Sequence, residues 1–162
     1  MLYGAQSNGL VIRNNAALRT SVFYGGGGSE VFVNGLLLQA NTVENCGGNC
    51  YSIGGATGVT LEDSVFLRDR PDRFFIYGTT DIIFGSVEGI NVVRNNDFNR
   101  RGETEGGPDG CAIDFETSAT GVVLSGNTIS HSWGAGVMIF GHATTSHGLN
   151  ISGNTFDQAG CE

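Results

Sequence analysis

The stretch "PDGCAIDFE" (Pro108–Glu116) gathers three carboxylates, Asp109, Asp114 and Glu116, into a short span. Read as a strand, it alternates. Cys111, Ile113 and Phe115 point to one side, and Ala112, Asp114 and Glu116 to the other. Two carboxylates at i and i+2 on one face have Cα atoms about 6.5–7 Å apart. That falls within the roughly 6.5–9.5 Å between the acid and base of an inverting glycoside hydrolase. Asp114 and Glu116 are therefore the candidate catalytic pair. One carboxyl protonates a leaving oxygen while the other activates water. Asp109, at the mouth of the polar loop "RRGETEGGPDG" (Arg100–Gly110), is a candidate substrate contact. Loops on rigid scaffolds often carry function, but an outward carboxylate can equally be simply solvated.

A sugar ring also needs an apolar platform. Setting "CAIDFE" beside "RFFIYGTT" and "AGVMIFGH" puts Tyr77, Asp114 and Met138 in one outward column. Thr79, Glu116 and Phe140 fall in the next. Tyr77, Phe140 and Trp133 are then the candidate platform and His142 a polar substrate contact. His147 stands where other copies of a repeat carry Asn, Thr or Glu, so it reads as a turn residue. A slip of one residue reverses every facing in this alignment.

The cysteines do not suggest a metal. Cys46 and Cys50 in "CGGNC" are spaced to close a small disulfide, and Cys111 reads as a buried small hydrophobe. No Cys-x-x-Cys occurs, so no metal site is assigned. Asp109, Asp114 and Glu116 could hold Ca²⁺; otherwise no cofactor is expected. The chain carries a net charge of −8 and no lysine, which argues against nucleic acid and anionic membranes as partners. The doublet Arg100-Arg101 reads as solvated loop. No apolar run is long enough for a membrane span, and no signal peptide is visible. "NIS" (Asn150–Ser152) is a formal glycosylation sequon inside a strand phrase.

What positions these groups is a repeat. "NGLVIRNN", "NGLLLQAN", "TGVTLEDS", "EGINVVRN", "TGVVLSGN" and "HGLNISGN" are six copies of one phrase, anchored at Gly9, Gly35, Gly58, Gly89, Gly121 and Gly148. One residue on stand Leu10, Leu36, Val59, Ile90, Val122 and Leu149. Three on stand Ile12, Leu38, Leu61, Val92, Leu124 and Ile151. Six on stand Asn15, Asn41, Ser64, Asn95, Asn127 and Asn154. The local period is two, so the apolar positions line one side of short strands. Repeat spacings of 23–32 residues point to a stacked solenoid. Independent turns of a sandwich would not repeat position by position. The expectation is an all-β solenoid of about six rungs over residues 1–162, a single domain. Its +1 and +3 residues should be buried, and its Asn column should bond along the stack.

This phrase and spacing resemble the right-handed parallel β-helix superfamily of pectate lyases, polygalacturonases and other β-helix glycosidases. "PDGCAIDFE" is similar to the Asp-Gly-x-x-Ile-Asp rungs of the glycosidases. The Asp-Asp pair, Gly-His-Gly and Arg-x-Lys of polygalacturonases are absent, and no Arg partner for a pectate lyase Ca²⁺ site can be named. The resemblance implies a right-handed parallel β-helix, an extracellular location that a disulfide would suit, and a polysaccharide as partner. Glycoside hydrolysis is favoured over lyase chemistry.

Three readings follow. One is a carbohydrate-active enzyme using Asp114 and Glu116. Another is a glycan-binding module with the same face. The third is a structural rod of an adhesin, spike or filament. No capping element is visible at either end, which predicts that the chain continues in a longer protein or self-associates.

Overall fold

Alternating apolar residues interrupted every few positions by a turn residue can only make short strands, and parallel stacking lets each strand cover the next. The computed structural model describes residues 2–4, 7–20, 24–26, 33–69, 80–102, 110–140 and 147–160. Among them there is no helix. All strands pair in parallel, coiling around one core as three walls.

The first wall stacks Val11–Arg13, the second half of Val33–Gln39, the second half of Ala56–Glu62, Asn91–Arg94, Val122–Ser125 and Asn150–Ser152. The second wall stacks Ala16–Leu18, Thr42–Glu44, Val65–Leu67, Asp97–Asn99, Thr128–Ser130 and Thr155–Asp157. The third stacks Leu2–Gly4, Tyr24–Gly26, Tyr51–Ile53, the first half of Ile82–Glu88, the first half of Ile113–Ala119, and Val137–Ile139. Each wall is six strands deep; its two outermost strands are flanked on one side only, leaving four inner turns covered on both sides. The core runs as columns. Ile12, Leu38, Leu61, Val93 and Leu124 line the first wall, and Ala17, Val43, Phe66, Phe98 and Ile129 the second. Phe66 stacks on Phe98 with ring centroids 4.6 Å apart, and Phe84 on Phe115 at 5.3 Å.

The corners recur like the strands. The repeat glycines all have positive φ, Gly9 at 65° and Gly89 at 77° for instance. A β-carbon is disfavoured in that conformation. At the next corner Asn14, Ala40, Asp63, Asn95, Gly126 and Gly153 adopt it, and the residue after each forms the expected ladder. The Asn15 amide donates to Asn41 Oδ1 at 3.1 Å, and the Asn41 amide to Ser64 Oγ at 3.2 Å. The Ser64, Asn96 and Asn127 amides donate in turn to Asn96, Asn127 and Asn154 Oδ1, each at 3.0 Å. Side-chain amides also bond along the stack, Asn96 Nδ2 to Asn127 Oδ1 at 2.9 Å.

The fourth repeat departs from expectation by one residue. Ile90 is not in the core; it is 76% exposed. Asn91 takes its place opposite Val122, fully buried, and Val93 rather than Val92 faces inward. Asn96, not Asn95, is the ladder residue. The extra residue bulges outward, and Asn91 satisfies the backbone groups left around it. The Val59 amide donates to Asn91 Oδ1 at 2.9 Å, while Asn91 Nδ2 donates to Glu88 O and Thr120 O. The last rung departs differently: Ile139, Ile151 and Phe156, members of the inner columns, are 51%, 43% and 49% exposed.

Candidate functional site

The two longest connections of the solenoid share one corner, between the end of a second-wall strand and the start of the next third-wall strand, while 140–149 runs from the third wall to the first. The connections at this corner include 45–50, 68–81, 100–112 and 131–136, of which 68–81 and 100–112 are the two longest. The described candidate residues lie along the third wall, Trp133 at this corner, Asp114 within the wall, and Glu116 and Phe140 at its far end.

The strand Ile113–Ala119 alternates as predicted at its start: Ile113 and Phe115 are buried against Ile82 and Phe84, and Asp114 and Glu116 fall on the other side. The neighbour of Asp114 on one side is Met138, as expected. On the other it is Ile83, not Tyr77. Two apolar alternating segments, "RFFIYG" and "DIIFGS", compete for this wall, and the second occupies it. Tyr77, Asp109 and His142 lie outside the described residues. Asp114 is also not open to solvent: it is 2% exposed and Ala112 is fully buried, whereas Glu116 is half-buried.

Beyond Phe115 the strand carries one more residue than its neighbour, because Phe84 pairs with Phe115 but Ser86 with Ser118. Bulges of this kind re-aim side chains. The Thr117 hydroxyl donates to the Gly85 carbonyl and holds the bulge down. The column to which Glu116 belongs is otherwise nearly bare. Gly54 and Gly85 occupy its lower positions, with an added β-carbon on Gly85 lying only 3.5 Å from Gly54 Cα. Phe140 continues the column above. Its amide donates to Phe115 O at 3.0 Å, and its ring is 39% exposed. Trp133, 37% exposed, lies in the connection just before Val137–Ile139, where Gly134 N donates to Gly110 O at 3.0 Å and Ser132 Oγ to the same carbonyl at 3.1 Å. Glu116 and Phe140 thus lie together at one end of a trough floored by glycine backbone, with Asp114 buried beside them, whereas Trp133 lies at the other end of the third wall, before Val137.

Behind the face lies a charge cluster that the sequence reading missed. Arg100 is fully buried rather than solvated; only Arg101 of the doublet is exposed. Asp81, fully buried, joins Arg68 Nε at 2.6 Å and Arg100 Nη1 at 2.9 Å. The available signal was register. Leu67 pairs with Asn99, so Arg68 and Arg100 stack one above the other, and two stacked guanidinium groups require an acid between them. Cys46 and Cys50 form the expected disulfide, and Cys111 is a buried free thiol. Burial pushes the Cys111 thiol up to about 12; Asp114 and Asp81 add to the push and Arg100 opposes it. Cys111, Asp114, Asp81 and Arg100 therefore share one electrostatic neighbourhood.

Among the described residues, no group of three or more His, Cys, Asp or Glu is placed to hold a metal ion, and no helix is long and apolar enough to cross a membrane. His147 is exposed and forms a parallel bridge to Thr120 just before Gly148.

Comparison with known proteins agrees with the geometry. Residues 2–156 match the family model described as right handed beta helix region. No curated protein and no solved structure matches the chain. With the repeat, the three parallel walls and this match over nearly its whole length, the chain belongs to the right-handed β-helix family.

Proposed function

We propose that the chain binds a polysaccharide along the outer face of its third wall and, as a glycoside hydrolase, cleaves it with Asp114 and Glu116. The observation that carries the reading is the trough. Glycine in a strand interior contributes no packing, and it often marks a place where another chain approaches the backbone closely. Here two stacked glycines lead directly to Glu116 and Phe140. A pyranose ring suits such a site, with an apolar face for Phe140 and hydroxyls for the carboxylates, and Trp133, at the other end of the wall, would meet a further sugar of the chain. Asp109, Tyr77 and His142 complete the proposed contacts, and Ca²⁺ at the carboxylates is compatible with it. A secreted protein is the natural setting, since the disulfide persists in an oxidising compartment.

Binding and cleavage separate experimentally. A carboxylate that is 2% exposed must be uncovered before it can touch substrate, so hydrolysis asks more of this face than binding does. A panel of neutral and uronate-containing polysaccharides is tested for binding and for release of reducing ends. Glu116→Gln and Asp114→Asn should each abolish release, with Asp114→Asn retaining binding. Binding without release by the native chain leaves a glycan-binding module. Absence of both removes the reading.

One observation favours a structural rod as a second reading. Ile139, Ile151 and Phe156 leave the inner columns uncovered at one end, where a further parallel rung would fit. Sedimentation velocity over a concentration series tests it: growing head-to-tail oligomers support the rod, and a concentration-independent monomer removes it.

A further inference from the structure

We propose that the Cys46–Cys50 disulfide is a redox latch on the loop-bearing corner, its reduction loosening the roots of the 68–81 and 100–112 connections while the three walls stay paired. The five-residue loop closed by this bond is the platform on which those roots rest. Arg68, which opens the first connection, donates Nη1 to Cys46 O at 2.8 Å and Nη2 to Gly48 O at 2.9 Å, with Nη2 3.5 Å from Cys50 Sγ. Thr80, near its close, donates its amide and its hydroxyl to Asn49 Oδ1 at 3.0 and 3.2 Å. Arg68 also donates to Thr80 O at 2.9 Å, so both ends of the connection meet on the disulfide loop. Asp81 passes the constraint on to Arg100, and the Gly102 amide donates to Arg68 O at 2.7 Å. The wall ladders are independent of all these contacts, since they run strand to strand.

The bond matters because it is the covalent tie that holds the loop's carbonyls in place for these hydrogen bonds, beside the Gly47 amide's bond to Thr20 O at 2.8 Å. The loop's centre is Gly47-Gly48, the most conformationally free pair available. Opened, it regains backbone entropy, and the carbonyls that Arg68 uses no longer converge. The chemistry is two-electron exchange with a small external dithiol. One thiolate of the reagent attacks Cys46 Sγ, and Cys50 Sγ leaves beside the Arg68 guanidinium, which favours the departing thiolate. Asp81 Oδ1, 3.7 Å from the same sulfur, opposes it in part. The second reagent thiol then resolves the mixed disulfide. The reagent leaves as a disulfide, and its two protons finish on Cys46 and Cys50. Both cysteines are buried, 0% and 1% exposed, so the exchange proceeds through local opening of the corner.

Amide hydrogen exchange on the full chain tests this without any glycan. Oxidised protein is compared with protein held in anaerobic dithiothreitol, and with the Cys46→Ser/Cys50→Ser pair. The latch predicts exchange at Thr80 and Gly102 faster by about tenfold or more in both reduced states, with Val43, Leu61 and Leu124 unchanged. Unchanged exchange at Thr80 and Gly102 overturns it, as does a disulfide that dithiothreitol fails to reduce in the folded protein. Loss of protection throughout overturns it too, because the bond would then hold the whole fold. Asn49→Ala, which leaves the bond intact, should loosen Thr80 alone; if Gly102 loosens equally, the path through Arg68 is wrong.

Discussion

Cys111 is the titratable group whose surroundings give the clearest pH signature. Its folded value, about 12, lies above the roughly 8.5 of a free thiol. Between those values the unfolded chain holds fewer protons than the folded one, so stability falls as pH rises. Below about pH 8.5 the contribution is complete; it is lost upward through about pH 12. Denaturation at pH 7.5 and 10 should show the loss, of order 1 kcal/mol per pH unit at most. Cys111→Ala should flatten the curve, and a wild-type curve already flat over that range would contradict the assignment. The facing of Cys111 was legible in the sequence from alternation with Ile113 and Phe115. The burial of Arg100 was not. A basic doublet before a polar loop looks solvated until its neighbour across the rung, Arg68, and the acid between them, Asp81, are known.

The element scale is governed by corners. A β-carbon built on Gly121, at φ 61°, would collide with the Gly89 carbonyl oxygen, brought close by the outward bulge at Ile90. Gly121→Ala should therefore destabilise by about 1–3 kcal/mol, more than Gly9→Ala, whose β-carbon meets nothing within 4 Å. Equal costs, measured by urea denaturation, would mean that φ alone matters. The ladder offers a second comparison. Asn127 donates to Val93 O and Asn154 Oδ1 and accepts from Asn96, all in the interior of the stack, whereas Asn15 sits on an end rung. Asn127→Ala should cost about 1–3 kcal/mol and Asn15→Ala clearly less. The six-fold phrase made the walls and the ladder readable in advance. The one-residue insertion at Ile90 was not readable, because "GINVVRNN" supplies an apolar residue and an Asn in either register. Burial decides between the registers, and burial depends on the neighbouring rungs.

On the scale of the whole molecule, three walls hold one continuous core while the two longest connections share a single corner. Phe98, packed between rungs against Phe66, belongs to the core, and Phe98→Ala should cost about 3–5 kcal/mol in thermal or chemical unfolding. The candidate site was readable only in part. The carboxylate pair and its neighbour Met138 followed from alternation, but the choice between "RFFIYG" and "DIIFGS" as the adjoining rung did not, since both alternate equally well. The glycine trough emerged only once that choice was settled. Valine fits the strand at Gly85, where a β-carbon meets its nearest neighbours at 3.5 and 3.7 Å, yet it fills the floor. Isothermal titration of native chain, Gly85→Val and the first-wall control Thr60→Val with the polysaccharide that binds best in the panel is the direct measurement. If the glycan lies along the third wall, Gly85→Val loses binding by tenfold or more, about 1.4 kcal/mol, while Thr60→Val keeps it. Binding undiminished by Gly85→Val, or lost equally on the first wall, would contradict that placement.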